Sequence, residues 1–273
     1  MRLIKAELFK IRTTALWWIM GLALLPLYVA SLLVNWAVAN AGAPPEGGVP
    51  DSQAEQIEAT LQPINVATNL YTTGQYLGVL IVLLLSAIIV TSEFFHLTAT
   101  STFLVTPRRE AVILAKFGAA IVVGLVVWAL TTLLDLALVP LIMGSLELGS
   151  QLGEPAVWRA IALNALAFVL WAVLGVGAGV LIRNQLAATL ILAVLYTIGS
   201  QAVGVIFFLL AENVARWIEN LQVLNPTTAS QLMIAGTELP GSPPRWVGAA
   251  VLIGYAAVTG TLGTLITKRR DIS

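Results

Sequence analysis

LYTTGQYLGVLIVLLLSAIIVT, residues 70–91, runs for twenty-two residues without a charge. A helix needs about twenty such residues to cross a ~30 Å hydrocarbon core. Five more stretches read the same way: Leu16–Val38, Val112–Met143, Val157–Ile182, Leu186–Ala211 and Val247–Thr267. Only helices and closed barrels satisfy their own backbone in lipid, and these runs are far too long for barrel strands. The reading is an all-α integral membrane protein, with six transmembrane helices forming a single transmembrane domain over residues 1–273.

Charge sets the expected orientation. With both termini on one side, that side holds Arg2, Lys5, Lys10, Arg12, Arg108, Arg109, Lys116, Arg183, Lys268, Arg269 and Arg270. The other holds only Arg159, Arg216 and Arg245 of the 14 basic residues. Positive loops stay in the cytoplasm, so both termini are expected inside. Glu46, Asp51, Glu55, Glu58, Glu147, Glu154, Glu212, Glu219 and Glu238 fall opposite, and the net charge of zero conceals this polarity. Charged residues make up 10% of the chain, against about 25% in soluble domains. With no cysteine, disulfides, thiolate metal sites and cysteine nucleophiles are excluded. Ala37-Val38-Ala39 imitates a signal-peptidase site, yet the preceding apolar run is longer than a signal h-region, so an uncleaved first span is expected.

The segments between spans are short. MRLIKAELFKIRTT, residues 1–14, places Ile4, Leu8, Ile11 and Ala15 on one helical stripe with Lys5, Lys10 and Arg12 turned away. That pattern fits an interfacial helix, carrying Lys5, Glu7, Lys10 and Arg12, in the headgroup layer against membrane lipid. Residues 39–69 open with AGAPPEGGVP, an irregular lead, before a stretch compatible with a short helix. Between spans five and six, NVARWIENLQVL sets Val214, Trp217, Ile218 and Leu221 on one face, and Asn225-Pro226 then turns the chain towards Leu232–Ala235. A pair of short helices forming an interfacial or re-entrant element is expected on the outer side.

SEFFHLTATSTFLVTPRREAVILAKF, residues 92–117, is the densest polar cluster. Glu93 closes span two. Small hydroxyl residues follow at Thr98–Thr102, then an apolar Phe103–Val105. Thr106-Pro107 breaks the chain before Arg108-Arg109, and Lys116 begins span three. A short surface element with an exposed apolar edge usually marks a protein contact. The plainer reading is a basic inside loop that only sets topology. His96, the only histidine, excludes a multi-histidine metal site and reads as an interfacial polar residue.

Through Glu93, Thr98, Thr100, Ser101, Thr102, Phe103, Leu104, Pro107, Arg108, Arg109 and Lys116, this segment resembles the cytoplasmic coupling region of type-2 ABC exporter permeases. AELFKIRTT followed by Trp17-Trp18, the six spans and the large fifth outer segment are similar too. The chain departs from many relatives in having Leu97 where they have glycine. The resemblance implies that Leu97–Val105 forms a short coupling helix docking on a separate ATPase, with Glu93, His96, Pro107, Arg108 and Arg109 around it. The implied partners are an ABC ATPase dimer carrying ATP and Mg, a second permease copy or paralogue, and membrane lipid; nucleic acid is not among them. The chain lacks GxxxxGK[ST], so it should hold no nucleotide or other cofactor itself.

Asp135 is the acid placed inside an apolar run, about 28 Å along span three from Lys116. Arg159, near the start of span four, is its expected partner in a structural pair, with substrate binding the alternative. Gln75, Asn164, Ser200 and Gln201 read as hydrogen bonds between helices, and Gly175, Gly177 and Gly179 as close helix packing. An intramembrane enzyme would need converging catalytic groups, whereas Asp135 and Glu93 sit on opposite sides. A secondary transporter of two inverted halves fits poorly, because span three is unusually long and has no counterpart. A transport subunit with no enzymatic activity of its own is the leading expectation. An ion-coupled transporter and a non-transporting anchor or immunity component are the alternatives.

Overall fold

The structure, a computed structural model, describes residues 2–42, 51–98, 108–238 and 241–269. The described residues form helices and no strand: α1 (Arg2–Thr13), α2 (Leu16–Ala41), α3 (Asp51–Leu61), α4 (Pro63–Tyr71), α5 (Leu77–Phe95), α6 (Arg109–Ser145), α7 (Pro155–Leu181), α8 (Gln185–Val194), α9 (Ser200–Asn213), α10 (Pro226–Ile234) and α11 (Arg245–Arg269). Among the described residues, six helical stretches are long and apolar enough to cross a membrane. Span 1 is α2, span 2 a 3-10 turn at Thr73–Gln75 followed by α5, span 3 α6 and span 4 α7. Span 5 joins α8 to α9 through a π turn at Leu195–Gly199, and span 6 is α11. The end of the bundle bearing Lys10, Arg108, Lys116 and Arg183 is called here the basic face, and the other the acidic face.

Spans 2 and 4 are the axis: 72% and 67% of their apolar windows are buried, against 6% for span 1 and 11% for span 5. Lipid is as apolar as leucine, so helices associate in it through close backbone approach and hydrogen bonds rather than hydrophobic burial. Span 4 is built for such approach. A Cβ at Gly175 would strike the Leu83 carbonyl oxygen of span 2, and one at Gly179 would lie 2.7 Å from that of Ala87. On the same helix, Gly177 would place a Cβ 2.8 Å from the Thr259 carbonyl of span 6. Phe168, Trp171 and Val176 of span 4 fill the core beside Val79, Val82 and Leu83.

Four spans are interrupted. The uncharged run that begins at Leu70 is not one helix: α4 ends at Tyr71, and the chain makes a 3-10 turn before α5. Gly74 permits the break, since a Cβ there would lie 2.6 Å from Thr131 Oγ1 on span 3. Span 3, at 37 residues, is about 55 Å long and exceeds the ~30 Å hydrocarbon thickness. Pro140 interrupts its hydrogen-bond ladder, as Pro26 does in span 1 and the π turn in span 5.

Between spans 5 and 6 the expected pair of short helices is a 3-10 stretch, Arg216–Leu224, and α10. The 3-10 period splits the expected face: Val214 and Trp217 are exposed, while Ile218 and Leu221 are half-buried. Asn225 caps α10 by accepting from the Thr227 N–H. The helix packs on span 6 where Gly248 meets the Ala229 carbonyl. Its Ser230 is buried and accepts hydrogen bonds from Gln75 Nε2 and, at 3.2 Å, from Trp171 Nε1. Gln201 reaches Tyr76 Oη at 3.4 Å. Asn164 departs from the expectation of interhelical bonding: its amide is buried with no hydrogen-bond partner.

Gly179→Ala should force spans 2 and 4 apart and cost about 1–3 kcal/mol. Gly204→Ala, in a helix with open space around it, should gain about 0.5–1 kcal/mol. Thermal unfolding of both variants in one detergent checks the pair, and equal shifts would contradict this account of the axis.

Candidate functional site

Four charged side chains from three elements meet at the basic face. α1 supplies Glu7 and Lys10, the last turn of α5 supplies Glu93, and the second turn of α6 supplies Lys116. Lys10 Nζ lies 2.8 Å from Glu7 Oε1 and 2.6 Å from Glu93 Oε1. Lys116 Nζ lies 3.0 Å from Glu7 Oε2 and 3.0 Å from Glu93 Oε1. Each ammonium therefore touches both carboxylates, and each carboxylate both ammoniums, in a closed neutral ring. Lys116 donates further to the Ile89 carbonyl. Three of the side chains are almost fully buried, while Lys10 is 48% exposed. Burial lowers the Lys10 pKa, and the hydrogen bonds and charges of Glu7 and Glu93 outweigh that, leaving it above the ordinary lysine value.

Local sequence explains how each member arrives. In α1 the residues turned inward are Leu3, Ile4, Glu7, Leu8 and Ile11, a 3.6-residue stripe with a carboxylate at its centre. Ile4 packs over Gly118 of α6. Ala15, expected on this stripe, is exposed. Lys10, expected to face away, turns back across Glu7. Lys5 and Arg12 are exposed as expected.

The segment expected to dock on an ATPase is flanked by Glu93 before it and Lys116 after it, both in the ring. After Glu93, α5 ends at Phe95, and the Thr98 N–H bonds back to the Glu93 carbonyl at 2.9 Å. Leu97 has φ 56°, the left-handed conformation that a helix stop favours and that glycine adopts without strain. The expected coupling helix therefore does not include Leu97 or Thr98, which complete the turn that closes α5. Thr100, Ser101, Thr102, Phe103, Leu104 and Pro107 lie outside the described residues. His96 is exposed and stacks edge-on against Phe95, with ring centroids 5.0 Å apart. Arg108 stands immediately before α6 and Arg109 is its first residue. Arg183, between spans 4 and 5, lies over the Phe94 ring at 5.4 Å.

The expected Asp135–Arg159 pair does not form. Asp135, 1% exposed, turns towards span 1, where Tyr28 Oη donates to its Oδ1 at 2.9 Å. Its Oδ2 has no partner. Arg159 lies on the exposed side of span 4 and donates to the Gly236 carbonyl at 2.7 Å. Asp135 is thus a tether for the first span. Tyr28 as its partner was not readable from sequence, because both residues sit within apolar runs.

Fold and site define a multi-pass helical membrane protein with a buried ion ring at one end. No protein-family model matches the chain, and no curated protein matches it.

Lys116→Met strands two carboxylates with one ammonium and should cost about 3–5 kcal/mol. Glu7→Gln on that background restores neutrality and should recover part of the loss, as read by thermal unfolding. Lys10 is raised, so its contribution is complete below the ordinary lysine range and is lost as pH climbs through the raised value. Lys10→Met should therefore flatten the alkaline decline in stability. Leu97, 87% exposed, packs against little; Leu97→Gly should raise stability by about 1 kcal/mol by relieving the left-handed backbone.

Proposed function

We propose that the chain is the membrane-spanning permease subunit of an ATP-driven type-2 ABC exporter. In this reading both termini face the cytoplasm of a bacterium, and the protein sits in its plasma membrane. A partner ATPase dimer binds ATP and Mg and docks on residues 97–109. A second permease, identical or paralogous, completes the transporter. The cargo is an amphiphile, such as a lipid or antibiotic, moved between facing helices.

The observation that supports this best is the ion ring. Glu93 lies on the helix leading into the segment between Thr98 and Arg108, and Lys116 on the helix leading out. Both are clamped to Glu7 and Lys10 of α1. A push on that segment would reach spans 2 and 3 together with the N-terminal helix, as one unit. A buried ring that breaks only at high cost suits a rigid lever better than a flexible loop. The segment between spans 2 and 3 is itself too short to be a soluble catalytic domain, which fits docking of a separately folded energy source.

Purification from native membranes in mild detergent, with ATPase assay of the product, tests the proposal. A stoichiometric partner bearing GxxxxGK[ST] is expected, and a lone chain without ATP turnover would overturn it. Arg108→Glu with Arg109→Glu should reduce co-purification of that partner at least tenfold, on the order of 1.4 kcal/mol, while the permease still inserts. Undiminished co-purification would remove these arginines from the docking surface.

A further inference from the structure

Two arginines meet at the acidic face, and neither pairs with a carboxylate among the described residues. Arg159 donates through Nη2 to the Gly236 carbonyl at 2.7 Å, and Arg245 through Nη1 to the same carbonyl at 2.9 Å and to Ala235 at 3.2 Å. The two guanidiniums are thus held side by side on one oxygen. Glu154 and Glu238, the nearest acids along the chain, are exposed and form no ion pair with either arginine.

The carbonyls are those of Ala235 and Gly236, just past the end of α10, and the helix end's partial negative charge of about half a unit cannot balance two full positive charges. Arg245 also opens α11, where the positive end of the helix dipole repels a cation. Three hydrogen bonds occupy three donors, whereas each guanidinium offers five N–H groups. The platform is rigid: Asn65 Oδ1 accepts the Thr237 N–H at 2.9 Å, and Asn65 Nδ2 donates to Thr237 Oγ1 at 2.7 Å. Gly236 is buried against Asn65, with no room for a side chain.

The surroundings say which anion belongs here. Each arginine is next to a tryptophan at the start of a span, and Trp158 and Trp246 are 50% and 69% exposed. Exposed tryptophans at span ends sit at headgroup level, and paired guanidiniums match the oxygens of a phosphate. We infer that Arg159 and Arg245 clamp the phosphate of a net-anionic phospholipid from the leaflet at the acidic face, with Trp158 and Trp246 against its glycerol and upper acyl region. This site is independent of the exporter reading and holds whether or not the chain transports anything.

Native mass spectrometry of the full chain in maltoside detergent tests it, with added phosphatidylglycerol, phosphatidylcholine or inorganic phosphate as probes and thermal unfolding in parallel. Phosphatidylglycerol should be retained and should raise the melting temperature; phosphatidylcholine should bind more weakly and free phosphate should give no shift. Arg159→Gln or Arg245→Gln should each lower phosphatidylglycerol retention about tenfold, and the double variant little further, because both side chains serve one phosphate. Wild-type retention by the double variant, or losses that simply add, would overturn the clamp. A shift with inorganic phosphate equal to that with lipid would replace the headgroup by a soluble anion. Where glutamine variants are unstable, Arg159→Lys with Arg245→Lys keeps both charges. It should still retain several-fold less lipid for want of the planar fork, and full retention would refute the two-guanidinium geometry.

Discussion

The ring of Glu7, Lys10, Glu93 and Lys116 is the constraint on which the basic end of the molecule depends. Ion pairs in a surface loop contribute little, but three of these four side chains are almost wholly buried. A buried carboxylate that lost its ammonium would be left uncompensated in a medium that solvates charge poorly. The arrangement is therefore all or none. It ties α1 to the last turn of α5 and the second turn of α6, and it does so with no net charge to draw in counter-ions.

Away from the ring, close approach replaces hydrophobic drive. Gly175 and Gly179 let span 4 lie against carbonyls of span 2, and Gly177 does the same for span 6. These contacts need no water to expel, which is why they hold in lipid. Span 1, by contrast, shows most of its apolar surface outward. It is held by Tyr28 on Asp135 and by Asn35, which donates to the Asn69 carbonyl at 3.3 Å. One face of the first span thus carries its polar attachments while the rest suits lipid or another helix.

The acidic end follows a different logic. There the chain turns back through a 3-10 stretch and α10, and buried polar side chains such as Ser230 and Asn225 bind it to spans 2, 4 and 5. Two guanidiniums rest on the carbonyls of Ala235 and Gly236, just past α10. Charge is cancelled internally at one face of the bundle and left open at the other.

Six apolar runs, the basic and acidic ends and the short N-terminal helix were legible from the sequence alone. Each depends on properties that add along the chain: the transfer cost of every side chain into lipid and the 3.6-residue period of a helix. Gly175, Gly177 and Gly179 could be read as packing residues for the same reason. The break at Thr72–Tyr76 could not, because no proline marks it and it exists to fit Thr131. Nor could the charge partners. Lys10 finds Glu93 across 83 residues, Lys116 finds Glu7 across 109 and Asp135 takes Tyr28 across 107. Arg159, the partner expected from depth, faces the wrong side of its helix for Asp135. The residue types determined that these charges must be compensated; only the packing of the helices decided by whom, because depth in the membrane is a property of one helix and proximity is a property of two.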